Sequence, residues 1–232
     1  MKTIGMIGGM SWESSIEYYR IVNEAVKEKL GGTHSAKSVM VSVDFAEIEA
    51  LQNAGDWEKA TQVMIECAKQ VEAGGADFLV ICTNTMHKMA DEVQKSIRIP
   101  ILHIADATAD AIKARGLGKI GLLGTRFTME GNFYRGRLTE KHGLDVVIPD
   151  EEDRAIVHRV IYQELVLGTV NPASKTEYQR IIERLIDAGA EGIVLGCTEV
   201  GLLIKDGDCR VPLFDTTLIH AMKAAELALA EE

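Results

Sequence analysis

Two short stretches carry the residue types able to do chemistry. One is Val80-Ile81-Cys82-Thr83-Asn84-Thr85-Met86-His87, where an apolar run gives way to hydroxyl and amide side chains and then a histidine. The other is Gly192-Ile193-Val194-Leu195-Gly196-Cys197-Thr198-Glu199, which ends in a thiol, a hydroxyl and a carboxylate. Each follows a glycine-containing turn, Gly74-Gly75-Ala76-Asp77 or Gly189-Ala190-Glu191. A few apolar residues after such a turn read as a buried parallel strand, and the C-terminal ends of such strands are where α/β sheets hold ligands. The two stretches match at a separation of 114 positions (75 to 189, 83 to 197), so Thr83 falls on Cys197 and Asn84 on Thr198. A cysteine at such an end, followed by a helix start, is expected to have its pKa lowered from about 8.5 and to act as a thiolate. Most free cysteines are instead small buried hydrophobes. The repeated setting favours chemistry at Cys197.

The other cysteines call for less. Cys67 has apolar helical neighbours, Cys209 lies in the loop Asp206-Gly207-Asp208-Cys209, and both read as inert. Cys82, beside Thr83, can point into the sheet packing rather than toward a ligand. No CxxC or Cys/His spacing marks a metal site, so neither metal nor disulfide is expected. Gly5-x-x-Gly8-Gly9 lacks the spacing of a dinucleotide turn; it reads as a tight loop presenting Met10 and Ser11 to a ligand. There is no Walker A sequence and no G-x-S-x-G elbow. His87 can assist a thiol or simply pack and cap, and Glu151-Glu152-Asp153 reads as a solvated face.

The elements that position these groups alternate strand and helix. Strands are expected at Thr3–Ile7, Val39–Val43, Phe78–Ile81, Ile101–His103, Lys119–Thr125, Asp145–Ile148, Ile193–Gly196 and Leu213–Asp215. Helices are expected from Trp12 to Leu30, capped by Ser11, with Ile16, Tyr19, Val22, Val26 and Leu30 on the core face. Others run over Ala46–Gln52, Trp57–Glu72, His87–Ser96 and Asp106–Arg115, from Met129 onward, over Arg154–Leu167, from Ala173 to Ala188 behind Asn171-Pro172, and over Thr216–Ala230. Lys119-Ile120-Gly121-Leu122-Leu123-Gly124-Thr125 repeats Thr3-Ile4-Gly5-Met6-Ile7-Gly8-Gly9 (4 to 120), and Val211-Pro212-Leu213-Phe214-Asp215 repeats Ile99-Pro100-Ile101-Leu102-His103 (99 to 211). Three matches in one order at nearly one separation indicate an internal duplication. The expected fold is α/β, with two pseudo-symmetric parallel-sheet domains: 1–100 plus 212–232, and 101–211.

Composition narrows the partners. The chain has 232 residues, 47% of them apolar, and a formal charge of −10. The negative balance argues against nucleic acid or an anionic membrane as a partner, and no apolar run approaches the ~18 residues needed to span a bilayer. Isolated cysteines and an N-terminus without signal-peptide anatomy point to the cytoplasm.

Ile4-Gly5-Met6-Ile7-Gly8-Gly9-Met10-Ser11, Asn84-Thr85-x-His87, Gly196-Cys197-Thr198-Glu199 and the twin-half layout together carry a resemblance. Over nearly the whole chain, the sequence resembles the aspartate/glutamate racemase family of cofactor-independent racemases. The resemblance implies an active site in the cleft between the two domains, commonly in a homodimer, with two cysteines flanking the α-carbon of an amino acid. Cys197 matches one of them; at the other position this sequence has Thr83. The function expected is PLP-independent racemisation of a small amino acid, aspartate or glutamate first, with no cofactor. Cys197 would act on one face, and Thr83, or a water it holds, on the other. Asn84, Thr85 and Thr198 would grip the substrate carboxylate, with Met10, Ser11, Gln52 and Thr125 around it. Glu199 would orient Cys197 or bind the ammonium, and Arg126 is available for a side-chain carboxylate. Two alternatives stand beside this: a single-cysteine decarboxylase-like enzyme, and an amino-acid-binding sensor.

Overall fold

The computed structural model of the protein describes residues 1–230. They divide into two units, Met1–Ile104 with the residues from His220 onward, and Ala105–Ile219.

The first unit is built on β1 (Ile4–Gly8), buried at every position. It lies between β2 (Ser38–Ser42) and β3 (Phe78–Ile81) in a parallel sheet of order β2-β1-β3. Side chains alternate across a strand, so the sheet has two apolar faces. Ile4, Met6, Phe78, Val80 and Cys82 pack on Tyr18, Ile21 and Val22 of α1 (Trp12–Leu30) and on Ala221, Ala224, Ala225 and Ala228 of the C-terminal helix (Thr216–Leu229). Ile7, Leu79 and Ile81 pack with Met64, Cys67, Ala68 and Val71 of α3 (Trp57–Ala73), which follows α2 (Phe45–Ala54). A Cβ at Gly5 would overlap Val71, so glycine there lets α3 close on the sheet.

The core face of α1 is not the one the spacing suggests. Tyr18, Ile21, Val22 and Val26 are buried, whereas Ile16, Tyr19 and Leu30 are exposed. The rotation follows from the first turn. Ser15 Oγ accepts the Gly9 N–H at 2.7 Å, and Ser11 caps the helix by accepting from Ser14 N at 3.5 Å. Small Ser14 and Ser15 therefore face the β1 turn, and the apolar stripe through Trp12, Ile16 and Tyr19 turns outward. Residues 101–103 also differ from expectation: instead of a strand they form a single parallel bridge, Leu79 to Ile101. The chain turns directly into α5 (Ile104–Ala114), leaving no length for a ladder. Between β3 and this bridge lie a 3-10 turn (Thr85–Met89) and α4 (Ala90–Ser96).

The second unit repeats the plan. β4 (Lys119–Gly124) lies between β5 (Asp145–Val147) and β6 (Gly192–Gly196), and β7 (Leu213–Asp215) completes a parallel sheet of order β5-β4-β6-β7. β5-β4-β6 corresponds to β2-β1-β3, and β7 to the Ile101 bridge. The helix expected from Met129 begins earlier, as α6 (Arg126–Glu130), because Thr125 Oγ1 accepts from Thr128 N at 3.2 Å and caps it. It ends at Gly131, and a separate π-helical turn covers Arg137–Lys141. α7 (Glu151–Gln163) likewise starts before the expected Arg154, with Asp150 Oδ1 accepting from Asp153 N at 2.9 Å and three acidic residues in its positive first turn. A 3-10 turn (Leu165–Leu167) follows. Asp153 is not on a solvated face: it is buried and paired with Arg180 at 2.8 Å and Arg184 at 3.0 Å, both on α8 (Pro172–Asp187). The short α9 (Val200–Leu203) and α10 (Thr216–Leu229, the C-terminal helix) are the last helices among the described residues.

Candidate active site

In the first unit the ends of β1 and β3 are neighbours, with Ile7 registered on Ile81. That pairing brings the Gly9-Met10-Ser11 turn alongside Cys82-Thr83-Asn84. Met10, Ser11, Asn84 and Thr85 are buried, and Thr83 is half-buried. Gln52, from α2, joins them through Nε2, which donates to Met86 Sδ at 3.3 Å. The Thr83 main chain is held on both sides. Its N–H donates to Ile81 O at 2.8 Å, and its carbonyl lies 2.7 Å from His87 Nδ1.

Cys82 is separated from this group. It continues the Phe78/Val80 face of β3 into the layer under α1 and α10, is fully buried, and has its thiol pKa pushed far up by burial. Cys67 is buried against the opposite face of the sheet. Cys209 is part-exposed and donates to Val211 O at 3.1 Å.

In the second unit β4 and β6 are neighbours, with Gly124 registered on Gly196. Thr125 and Cys197 thus leave adjacent strand ends, and Thr125 caps its helix as Ser11 does in the first unit. The Cys197 thiol, 8% exposed, donates to Glu199 Oε2 at 3.0 Å, and the Thr198 hydroxyl donates to the same oxygen at 2.7 Å. Burial raises the Cys197 pKa well above its ordinary value, and the Glu199 charge and hydrogen bond raise it further. The expected lowering by a helix N-terminus is therefore reversed. α9 has four residues, too few for a substantial dipole, while a carboxylate in direct contact favours the neutral thiol.

One group near the thiol, Tyr178, carries no motif. Tyr178, on the core face of α8, donates to Val157 O at 2.9 Å; its pKa is raised by burial first and then by the charge a Cys197 thiolate would carry. Glu164 accepts from Ser174 Oγ at 2.7 Å. Apolar spacing on a helix disguises Tyr178 as ordinary core, and only its neighbourhood distinguishes it. Arg126 is exposed; its backbone N–H donates to His158 Nδ1 at 3.2 Å. Among the described residues no group of three or more His, Cys, Asp or Glu side chains is arranged to hold a metal, and no helix is long and apolar enough to cross a membrane.

The model of the Asp/Glu/Hydantoin racemase family matches residues 7–224. The chain belongs to that family. Its relatives include the broad specificity amino-acid racemase RacX of Bacillus subtilis (strain 168), 24% identical over 178 residues that span 75% of each chain. A crystal structure from Yersinia pestis, described as a candidate Asp/Glu racemase, is 55% identical with a TM-score of 0.93, covering 99% of this chain and 100% of that one. An aspartate racemase homologue from Pyrococcus horikoshii OT3 is 38% identical with a TM-score of 0.85 and the same coverage. Family membership supports amino-acid racemase activity.

Proposed function

We propose that the protein is a PLP-independent amino-acid racemase that inverts the α-carbon of small amino acids, aspartate and glutamate first. The observation that carries this reading is the buried Cys197 thiol hydrogen-bonded to Glu199 at the end of β6. Racemisation takes a proton from one face of Cα and returns one to the other, so it needs two proton-transfer groups flanking a planar carbanion. A thiol and a carboxylate sharing one proton suit the first role. Shifting the thiol proton to Glu199 leaves a thiolate without changing the net charge. The thiolate can then take the α-proton, and in the reverse direction the thiol protonates the carbanion. Thr83, or a water on its hydroxyl, serves the other face. Backbone N–H groups with Asn84, Thr85 and Thr198 hold the substrate carboxylate, and Met10, Ser11, Gln52 and Thr125 complete the surround.

The two faces are unequal, because a hydroxyl is a much weaker acid than a thiol and a poor general base near neutral pH. The equilibrium constant between enantiomers is one, so kcat/KM is equal in both directions and the inequality appears in isotope exchange. The test is incubation with each amino acid in D₂O, following loss of the α-proton signal and inversion separately, with and without a chelator or added PLP. One enantiomer should exchange faster than it inverts, through repeated removal and return at Cys197, while its antipode inverts about as often as it exchanges. Neither chelator nor PLP should matter. No exchange into any amino acid, alongside tight binding, would favour the amino-acid-binding sensor; CO₂ release would favour the decarboxylase.

We also propose that the protein acts as a homodimer. Trp12, Ile16 and Tyr19 lie on one face of α1 at helical spacing and are 62%, 52% and 55% exposed. Sedimentation should return twice the chain mass, and Ile16→Glu with Tyr19→Glu should return the monomer. A monomeric wild type at micromolar concentration would end this reading.

A further inference from the structure

We infer that His87 is a positioning residue that fixes the Thr83 turn and transfers no proton itself. This rests on the reading above that the Thr83 end faces substrate. His87 Nδ1 lies 2.7 Å from the Thr83 carbonyl oxygen, which can only accept, so Nδ1 carries the hydrogen. Nε2 lies 3.2 Å from the backbone N of Ile104, which can only donate, so Nε2 offers its lone pair. One neutral tautomer satisfies both contacts. The other tautomer mismatches both, and the protonated ring would set one N–H against another.

The ring is also confined. It is buried, with the His103 ring at 4.5 Å and the His220 ring at 5.8 Å between centroids. His220 is itself held, its Nε2–H donating to Leu102 O at 2.7 Å and its Nδ1 accepting from Tyr18 OH at 2.8 Å. Burial pulls the His220 pKa down to about 4, so that ring is neutral too.

His87 therefore acts as a strut. It ties the Thr83 carbonyl to the first residue of α5, while Cys82 N–H to Ile7 O at 2.9 Å and Thr83 N–H to Ile81 O at 2.8 Å hold the chain from the strand side. With the main chain clamped on both sides, the Thr83 hydroxyl has a defined aim. Proton transfer at Cys197 does not depend on this clamp; transfer on the Thr83 face does.

The experiment compares wild type, His87→Leu and His87→Asn in D₂O. Asparagine keeps an N–H near the Nδ1 position but cannot shuttle protons. In His87→Leu, inversion should fall about tenfold or more relative to α-proton exchange, the scale expected when a reacting group is displaced. Most of the lost ratio should return in His87→Asn. A ratio unchanged in His87→Leu, or an Asn variant as impaired as Leu, would overturn the proposal, the latter by pointing to direct proton transfer. Nitrogen NMR of wild type should report a neutral Nδ1–H ring at His87. An Nε2–H or exchanging ring would overturn the proposal whether or not His87→Leu folds. Should wild type exchange no amino acid at all, the racemase reading fails by itself. The strut is then judged by the Thr83 methyl signal, which must shift in Leu and return in Asn.

Discussion

Replacing Cys197 with alanine is expected to lower racemisation roughly 10³-fold, within the range for loss of a general acid–base group. Cys67→Ala and Cys209→Ala should leave the rate nearly unchanged, since one packs against the far side of its sheet and the other bonds to a loop carbonyl. The environment of the thiol adds a sharper test. Burial and the Glu199 carboxylate hold Cys197 as the neutral thiol, so alkylation at pH 8 should be slower than for a free cysteine. It should accelerate as pH rises and the thiolate forms, and substrate should protect. Glu199→Gln removes the charge that opposes ionisation. Alkylation should therefore become faster in that variant while racemisation falls, because the shared proton is lost. A wild-type rate in Cys197→Ala would reject the assignment even though the fold stands. Slower alkylation in Glu199→Gln would reject the role given to the carboxylate.

The largest expected effect on stability is at Gly9. Its φ is +89°, and a Cβ there would overlap the carbonyl oxygen of Val43, with the Val43 nitrogen at 2.7 Å and Ser42 Oγ at 2.8 Å. Two of these three atoms are backbone, which cannot move aside as a side chain can. Gly9→Ala should therefore cost about 4 kcal/mol, combining a strained left-handed residue with overpacking. Gly55 is the control. Its φ is +69° in the left-handed helical region, but nothing lies within 4 Å of a Cβ there, so Gly55→Ala should cost only about 1 kcal/mol. Urea unfolding of the two variants decides the matter: equal losses would show that the turn after β1 gives way, and that close packing is not what requires glycine at Gly9.

Much of this was legible in the chain. Apolar runs located β1, β3, β4 and β6, the last three after glycine turns, because a strand buried on both faces has no polar position to spare. The repeat located the two strand ends and their equivalence, since a duplicated backbone plan leaves turn glycines and strand lengths in matching places. Ser11 and Asn171 were readable as caps because capping is settled within one turn. Other features depended on distant parts of the chain. Ile16 and Tyr19 fit a core stripe at helical spacing, yet the rotation of α1 is set by Ser15 meeting Gly9, which no periodicity encodes. Residues 101–103 match a strand in composition but have only one residue of ladder before α5 begins. Cys82 and Thr83 are adjacent in sequence, and only the alternation of β3 against α1 and α10 sends the thiol into the core. Asp153 looked solvated until α8 brought Arg180 and Arg184 to it. Above all, the residue types at Gly196-Cys197-Thr198-Glu199 mark a candidate thiol, but local sequence misjudges its proton affinity. A pKa depends on solvent exclusion and on the nearest charge in space, and folding buried the thiol while placing Glu199 3.0 Å from it.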